Sequence, residues 1–269
     1  QQQNLGAVKN AGFEVTVGGQ IVDQKQVGVD FTLVSSLNGN KVVSLGNTEK
    51  QVGTTNWVVA GYPIRGLFAR PITGWEDKNH DGVVVYDADP AKNEVFVGTD
   101  TIFRGYAEPR YLTSLTAGIE LFNRKLRIQN LFDWRGGNRW YNNTERIRCV
   151  SRNNCNGLMN PDASFEEQSM VQATLNDPSK TLDGFLQPGA FVKWREMLAS
   201  VTLPTSVASR MRARSANVVF SVRNLKTWTN YRGTSPESDF AVGEGGDSPS
   251  EFQTFSQPTF FILRLNLGF

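Results

Sequence analysis

Apolar and polar residues alternate along seven segments of the chain, the pattern of β-strands with two unlike faces. The last segment shows it most clearly, because Phe261, Leu263 and Leu265 occupy every second position. The seven predicted strands are residues 12–19, 27–37, 110–121, 125–134, 190–203, 215–224 and 259–269. No segment of ten or more residues shows helical periodicity, and only residues 206–214 are expected to form a short helical turn. The pattern predicts an all-β protein.

The fifth predicted strand changes its pattern partway. Val192 and Trp194 share one face, and Met197 and Ala199 then take over that face. A β-bulge inserts one extra residue into one strand of a pair. The sequence therefore predicts a bulge near Glu196.

The connections between these strands alternate in length. The short connections are residues 23–26, 122–125 and 204–215, and the long ones are residues 38–109, 137–189 and 226–256. Outer-membrane barrels have short periplasmic turns and long extracellular loops. The predicted fold is therefore an antiparallel meander of about seven strands that forms part of a large transmembrane β-barrel.

The faces of the strands predict which residues meet lipid. An arginine that faces hydrocarbon at the membrane midplane costs about 2–4 kcal/mol, so charged residues at alternate positions are expected to face the lumen. The lumen-facing candidates are Arg127, Asp133, Arg135, Arg195, Arg223 and Arg264. The residues expected to face outward, and to be solvent-exposed in the protein alone, are Ile128, Phe132, Val218, Phe220, Leu263 and Leu265.

Seven strands are too few for a closed barrel of useful size, and bacterial single-chain barrels have even strand numbers. Residues 1–269 are therefore expected to be the carboxy-terminal segment of a larger barrel, whose earlier strands lie outside this sequence.

Composition limits the other classes of function. The 28 basic and 26 acidic residues are dispersed and the formal net charge is +2, which gives no sign of nucleic-acid binding. No apolar run is long enough for a membrane-spanning helix, and the amino terminus lacks the features of a signal peptide. The only histidine, His80, lies in a loop rich in Gly and Asp, so no enzyme activity is expected.

The two cysteines, Cys149 and Cys155, lie six residues apart among polar residues. A surface disulfide is favoured over two free thiols and over a metal site, and it implies an oxidising compartment. Because the enclosed loop is small, loss of the disulfide is expected to cost little stability.

One segment matches the first half of a calcium-binding loop. Asp77, Asn79 and Asp81 stand at alternate positions before Gly82, although Ala88 occupies the position where such a loop has Glu. The alternative is a turn built from Asn and Asp side chains. No other cofactor is expected.

The long connections also contain four candidate aromatic residues: Trp140, Tyr141, Trp228 and Tyr231. Such rings could stack on sugars at the mouth of a barrel. The favoured alternative is the aromatic girdle at the membrane interface, which uses the same residue types.

Five segments resemble the carboxy-terminal half of SusC/RagA-type TonB-dependent outer-membrane transporters. They are NLGAVKNAGFEV, GYPIRGLFARPITGWEDKNHDGVV, PGAFVKWREMLASVTLP, ANVVFSVRNLKTWTNYRGTSPE and QPTFFILRLNLGF. Residues 224–231 and 257–269 fit the typical ending of the family closely.

The resemblance implies a barrel of about 22 strands in the bacterial outer membrane, filled by an amino-terminal plug that has no counterpart in this sequence. It also implies TonB-driven import of a nutrient such as an oligosaccharide or a peptide. The implied partners are the rest of the barrel and its plug, TonB, a SusD-like surface lipoprotein and outer-membrane lipid. The lumen arginines would either line the substrate path or pair with the plug. The alternative function is a secreted β-sandwich adhesin or carbohydrate-binding module, with apolar faces buried between two sheets.

Overall fold

The computed structural model describes residues 6–239 and 250–269, which form sixteen strands, four α-helices and a short 3-10 helix. The strands are β1 (Ala7–Asp23), β2 (Val27–Ser44), β3 (Gln51–Val52), β4 (Asn56–Val58), β5 (Gly66–Ala69), β6 (Ile72–Trp75), β7 (Val95–Val97), β8 (Ile102–Tyr106), β9 (Tyr111–Leu121), β10 (Leu126–Gly136), β11 (Arg139–Asn142), β12 (Leu186–Pro188), β13 (Phe191–Thr202), β14 (Ser215–Thr229), β15 (Ser250–Glu251) and β16 (Phe260–Gly268). The helices are α1 (Asn143–Val150), α2 (Asn156–Met159), α3 (Phe165–Leu175), α4 (Thr205–Arg210) and the 3-10 helix Asp183–Phe185.

Seven of the strands form one antiparallel sheet in the order β1-β2-β9-β10-β13-β14-β16. These are the seven strands that the alternating pattern predicts, and they pair in chain order, with β1 and β16 at the two edges. The all-β meander is therefore confirmed. The first two strands are longer than predicted, because β1 begins at Ala7 and β2 continues to Ser44.

The predicted bulge is present in β13. Opposite β10, Leu131 aligns with Glu196 and Phe132 aligns with Trp194, so Arg195 is the extra residue. The register against β14 also shifts between Trp194 and Glu196. The bulge restores the apolar face after one unpaired residue, which is why the alternation in the sequence changes there.

The short connections make tight turns at one end of the sheet. In the turn between β9 and β10, Phe122, Asn123 and Arg124 all have positive φ angles, of 56°, 56° and 65°. The third short connection contains α4, which is the short helix expected in residues 206–214.

The long connections fold into a layer at the other end of the sheet, here named the loop layer (residues 45–110, 137–190, 230–239 and 250–259). Small sheets and α1, α2 and α3 form this layer, in which β11 pairs with both β12 and β15. Strands from the second and third long connections therefore share one sheet. Residues 240–249 of the third predicted long connection lie outside the described residues.

Helix α3 has eleven residues, so the expectation that no helix of this length occurs is wrong. Its buried residues are Gln168, Ser169, Met170, Val171, Ala173 and Thr174. Burial on most sides leaves no single apolar stripe, which removes the periodicity that marks a surface helix. The sequence did contain a signature of the start of this helix, a Ser followed three residues later by Glu. In the structure the Ser164 side chain accepts a hydrogen bond from the backbone N–H of Glu167.

The main apolar core lies in the loop layer. Its largest cluster of buried residues includes Leu67, Met170, Val171, Phe185 and Leu186, which come from the first two long connections. Most apolar side chains of the seven-stranded sheet, in contrast, are exposed or half-buried. The loop layer is therefore packed as a soluble domain is packed, and the sheet is not.

Candidate functional site

One face of the seven-stranded sheet is apolar and uncovered. Side-chain exposure reaches 75% at Leu263, 72% at Phe261 and 67% at Phe13, which lie on the two outermost strands. These residues lie on the same face as the apolar side chains of the five strands between them, as the register of the pairs requires. A β-sandwich would bury such a face against a second sheet.

The six residues expected to be exposed on this face fall into two groups. Leu263, Leu265 and Phe220 are exposed, as expected. The structure places Ile128, Phe132 and Val218 in half-buried positions, so the expectation of full exposure was too strong for these three. The reason is local, since neighbours on adjacent strands shield a side chain in the middle of a sheet.

A polar side chain on the apolar face is paired within the sheet. Asn130 lies on this face, and its Oδ1 accepts a hydrogen bond of 3.1 Å from the indole Nε1 of Trp194. The Trp194 ring stacks on Phe132 with 5.6 Å between ring centroids. The amide oxygen and the indole N–H are therefore both satisfied without water, as an apolar surrounding requires.

The opposite face carries charged residues in ion pairs. Arg127 donates through Nη1 to Asp30 Oδ2 at 2.7 Å and to Glu120 Oε1 at 3.2 Å. Nearer the loop layer, Arg195 donates through Nε to Asp133 Oδ2 at 2.6 Å. These two arginines are thus paired inside this chain.

The other lumen-facing candidates differ in how they are paired. Arg223 donates to Glu196 at 2.9 Å, and Arg135 Nη1 lies 3.8 Å from Glu237 Oε1. Arg264 lies opposite Val219 on β14, and within the described residues no ion pair of Arg264 is found.

A segment of the loop layer is attached to the polar face. Glu237 accepts hydrogen bonds from Lys193 Nζ at 2.7 Å and from Arg195 Nη1 at 2.9 Å. Burial raises the pKa of Glu237, but the hydrogen bonds from Arg195 and Lys193 and their positive charges together outweigh it, so the pKa lies below its ordinary value. The loop layer is therefore attached to the polar face of the sheet at its own end.

The cysteines form a disulfide, with a distance of 4.8 Å between their Cα atoms. The expected surface position is wrong, because Cys149 is 0% exposed and Cys155 is 4% exposed. Both pack in the core cluster of the loop layer with Met170 and Phe185. Polar neighbours in sequence concealed this burial, since Cys149 is the one fully buried residue that α1 has and Arg148 next to it is exposed.

Three of the four candidate aromatic residues are buried. Trp140, Tyr141 and Tyr231 lie inside the loop layer, so they present no ring to a sugar at its surface. The Tyr231 hydroxyl donates to Glu251 at 3.0 Å, and burial together with this carboxylate raises the pKa of Tyr231. Burial raises the pKa of Tyr141 to about 12. Only Trp228 of the four is exposed, on the apolar face opposite Val192.

The segment of the calcium prediction forms a turn closed by its own side chains. Asp77 accepts hydrogen bonds from the backbone N–H groups of Asp81 and Gly82, and Asn79 also accepts one from Asp81. His80 is exposed in this turn. Within the part of the chain that the structure describes, no three His, Cys, Asp or Glu side chains meet as a metal site requires. Calcium binding stays a prediction.

A cavity of about 410 Å³ lies in the loop layer, and all three long connections line it. Its charged lining includes Arg104, Arg139, Asp183 and Arg232. Sequence analysis did not find these residues, because they are distant in sequence and belong to no motif. The sequence held one weak indication of this site, the glycine next to Arg104. Gly105 has a φ angle of 149°, and the Arg139 side chain packs against it.

No helix among the described residues, 6–239 and 250–269, is long and apolar enough to cross a membrane.

Comparison with known proteins gives relatives along the whole chain. No protein-family model matches. The chain is 20% identical over 308 residues to TonB-dependent receptor P26 of Formosa agariphila, covering 100% of this chain and 30% of that receptor. The chain therefore spans less than a third of the length of this relative. The relative is named as a receptor, which agrees with the expectation that the chain is not an enzyme.

The fold matches part of a solved transporter structure. The RagAB peptide transporter matches with a TM-score of 0.71 and 18% identity, covering 98% of this chain and 30% of the matched chain. The same importer in its 'open-open' state matches with a TM-score of 0.70 and covers 99% of this chain and 29% of that one. The chain therefore resembles a TonB-dependent receptor in sequence and has the fold of part of the RagAB transporter, which confirms the resemblance that its motifs indicated.

Proposed function

We propose that this chain forms part of the wall of an outer-membrane barrel that imports a nutrient with energy from TonB. The observation that carries this proposal is the pair of unlike faces of the seven-stranded sheet. The apolar face has exposed side chains on all seven strands, and the polar face carries ion pairs and is contacted at its loop-layer end by the segment around Glu237. Membrane barrels place an apolar face against lipid and a polar face against the lumen.

The edges of the sheet support a larger barrel. β1 and β16 occupy the two edges and, within the described residues, do not pair with each other. Unpaired backbone groups are costly in a bilayer, so a membrane wall of this kind needs further strands on both sides. The remaining strands of the barrel, its plug and outer-membrane lipid are therefore the proposed direct partners. Arg264, on the edge strand β16, is the lumen-facing candidate best placed to reach them.

The proposed substrate is a peptide or an oligosaccharide. The matched transporter is named as a peptide importer, which supports peptides as the first nutrient to test. By the same resemblance, TonB and a SusD-like surface lipoprotein are the proposed further partners. The adhesin alternative is not supported, because it requires a second sheet over residues as exposed as Leu263 and Phe261.

The test uses the full-length protein that contains this chain, expressed in a bacterium with an outer membrane. We expect it in the outer-membrane fraction and in the detergent phase on phase separation. Deletion of its gene should slow growth on short peptides or on oligosaccharides as the sole nutrient, and a deletion of TonB should have the same effect. Recovery in the aqueous phase would contradict the membrane assignment, and equal growth on every nutrient would contradict import.

A further inference from the structure

The cavity in the loop layer has more positive than negative charge in its lining. Three arginines line it, from three different long connections, together with the acids Asp183 and Glu166. Asp183 is buried, whereas Glu166 is exposed on the first turn of α3, where solvent screens its charge. The fixed charge inside the cavity is therefore set by the arginines and by Asp183.

The Asp183 carboxylate accepts hydrogen bonds from neighbouring donors. Arg104 forms a bidentate ion pair with it, in which Nε donates to Oδ1 and Nη2 lies 3.1 Å from Oδ2. The backbone N–H of Ile72 also donates to Oδ2, at 2.9 Å. Arg232 forms an ion pair with Glu145, which does not line the cavity, and its Nε lies 3.4 Å from Glu145 Oε1. These pairs leave Arg139 as the lining arginine whose charge is not balanced.

Arg139 donates through Nη1 to the backbone carbonyl of Leu186 at 2.7 Å, and no ion pair of Arg139 occurs among the described residues. Burial lowers the pKa of Arg139, and the positive charge of Arg104 lowers it further, while Asp183 acts in the opposite direction. An arginine stays charged in proteins under such conditions. A half-buried cation in a positive surrounding is stabilised by any anion that enters the cavity.

The backbone holds the Arg139 side chain in place. A Cβ on Gly105 would lie 3.2 Å from Cδ of Arg139, and the φ angle of 149° at Gly105 is one that other residues rarely adopt. The stem of Arg139 therefore packs against bare backbone beside Arg104. A guanidinium has five N–H groups, so donors of Arg139 remain beside the one that bonds Leu186, and such donors can pair with the two oxygens of a carboxylate.

We propose that this cavity binds a carboxylate group of the transported nutrient, with Arg139 as its main partner. The inference rests on the proposed function and adds a preference for acidic ligands. A carboxylate can come from the free carboxy terminus of a peptide or from an acidic sugar, and both sources offer the same two oxygens.

The test measures binding to the full-length protein in detergent with two matched pairs of probes. One pair is tetra-alanine with a free carboxy terminus and the same peptide with a terminal amide. The other pair is tri-galacturonate and its methyl ester. We expect the acid of at least one pair to bind roughly 10- to 100-fold more tightly than its neutral counterpart, the range for a hydrogen bond to a charged group. The pair that shows this preference identifies the source of the carboxylate.

Variants assign the preference to Arg139. Arg139→Gln should abolish the preference for the acid, Arg139→Lys should keep part of it, and Arg70→Gln should keep all of it. Arg70 is exposed and does not line the cavity, so it is the matched control. If Arg139→Gln fails to fold, the salt dependence of the wild-type preference serves instead, because added salt should reduce it.

Two results would overturn the proposal: equal binding of acid and neutral probe in both pairs, or an unchanged preference in a folded Arg139→Gln protein. Either result would leave the proposed import function intact if the protein still inserts in the outer membrane and supports growth. Failure of the protein to reach the outer membrane would instead contradict the import function itself.

Discussion

The Nζ atom of Lys193 lies 2.7 Å from the carboxylate of Glu237, and this contact joins β13 to a segment 44 residues further along the chain. Lys193 faces the polar side of the sheet, and its side chain is only 6% exposed. Arg195 binds the same carboxylate and also binds Asp133. Glu237 therefore fixes the segment 231–239 to the barrel wall.

Glu237→Gln should release this segment. The change removes the negative charge that two nearly buried cations share, at a local cost of about 2–4 kcal/mol. Faster hydrogen exchange of the backbone of residues 231–239 would show the release. Glu76→Gln, at an exposed acid of the loop layer, is the control and should leave this exchange unchanged. Equal exchange in wild type and Glu237→Gln would show that the segment is held by other contacts.

The same attachment should depend on pH. The pKa of Glu237 in the folded protein lies below the ordinary value of 4.5, so its contribution to stability is complete at pH values above 4.5. The contribution is lost as the pH falls from there through the folded pKa. Exchange of residues 231–239, corrected for the intrinsic effect of pH, should rise in acid in the wild type. Glu237→Gln should show no such rise, and a matching rise in this variant would point to another titrating group.

The alternation of residues was enough to predict the sheet, but not the loop layer. Each strand of the sheet has an apolar face and a polar face, so the facing of Leu263 and Arg264 can be deduced from their immediate neighbours. The loop layer depends on contacts between distant segments, such as the ion pair of Arg104 with Asp183, 79 residues away. No local pattern encodes such a contact.

The candidate aromatics show the same limit. Trp140 and Trp228 both lie in or beside long connections and have the same chemistry, yet one is buried and the other is exposed. Trp140 is in β11, which is paired on one side with β12, more than 40 residues away by register, and on the other side with β15 from the third long connection. Trp228 is in β14, on the uncovered face of the sheet. Only the pairing of distant strands separates the two cases.

Adding a charge to one face of β16 and removing a charge from the other tests the membrane assignment. Leu265→Arg places a cation on the apolar face at a cost of about 2–4 kcal/mol near the membrane midplane, so assembly in the outer membrane should fail. Arg264→Leu, the matched change at the neighbouring residue, should be tolerated for insertion. The measurement is the amount of heat-modifiable protein in the outer-membrane fraction. Normal insertion of Leu265→Arg would contradict the assignment of this face to lipid.

The buried position of the disulfide changes what its removal should do. A disulfide that closes a loop of this length stabilises the fold by about 2 kcal/mol. If both cysteines lay at the surface, removal of the disulfide would therefore have only a small effect on stability. Cys149 is instead 0% exposed and packs against apolar residues. Replacement of both cysteines by Ala should therefore loosen the loop layer, and replacement of both by Ser should loosen it further.

The difference between these two variants is informative because both lose the covalent bond. Serine adds hydroxyl groups, and the apolar cluster offers few hydrogen-bond partners for them. Each buried hydroxyl left without a partner destabilises the folded layer by about 1–3 kcal/mol. Hydrogen exchange in α1 and α3 is the measurement, since both helices pack in this cluster, and exchange in β9 and β10 serves as the internal control. Equal exchange in the Ala and Ser variants would show that the cysteines reach water once the bond is removed. Faster exchange in the Ser variant, confined to the loop layer, would show that this layer has a core of its own beside the membrane wall.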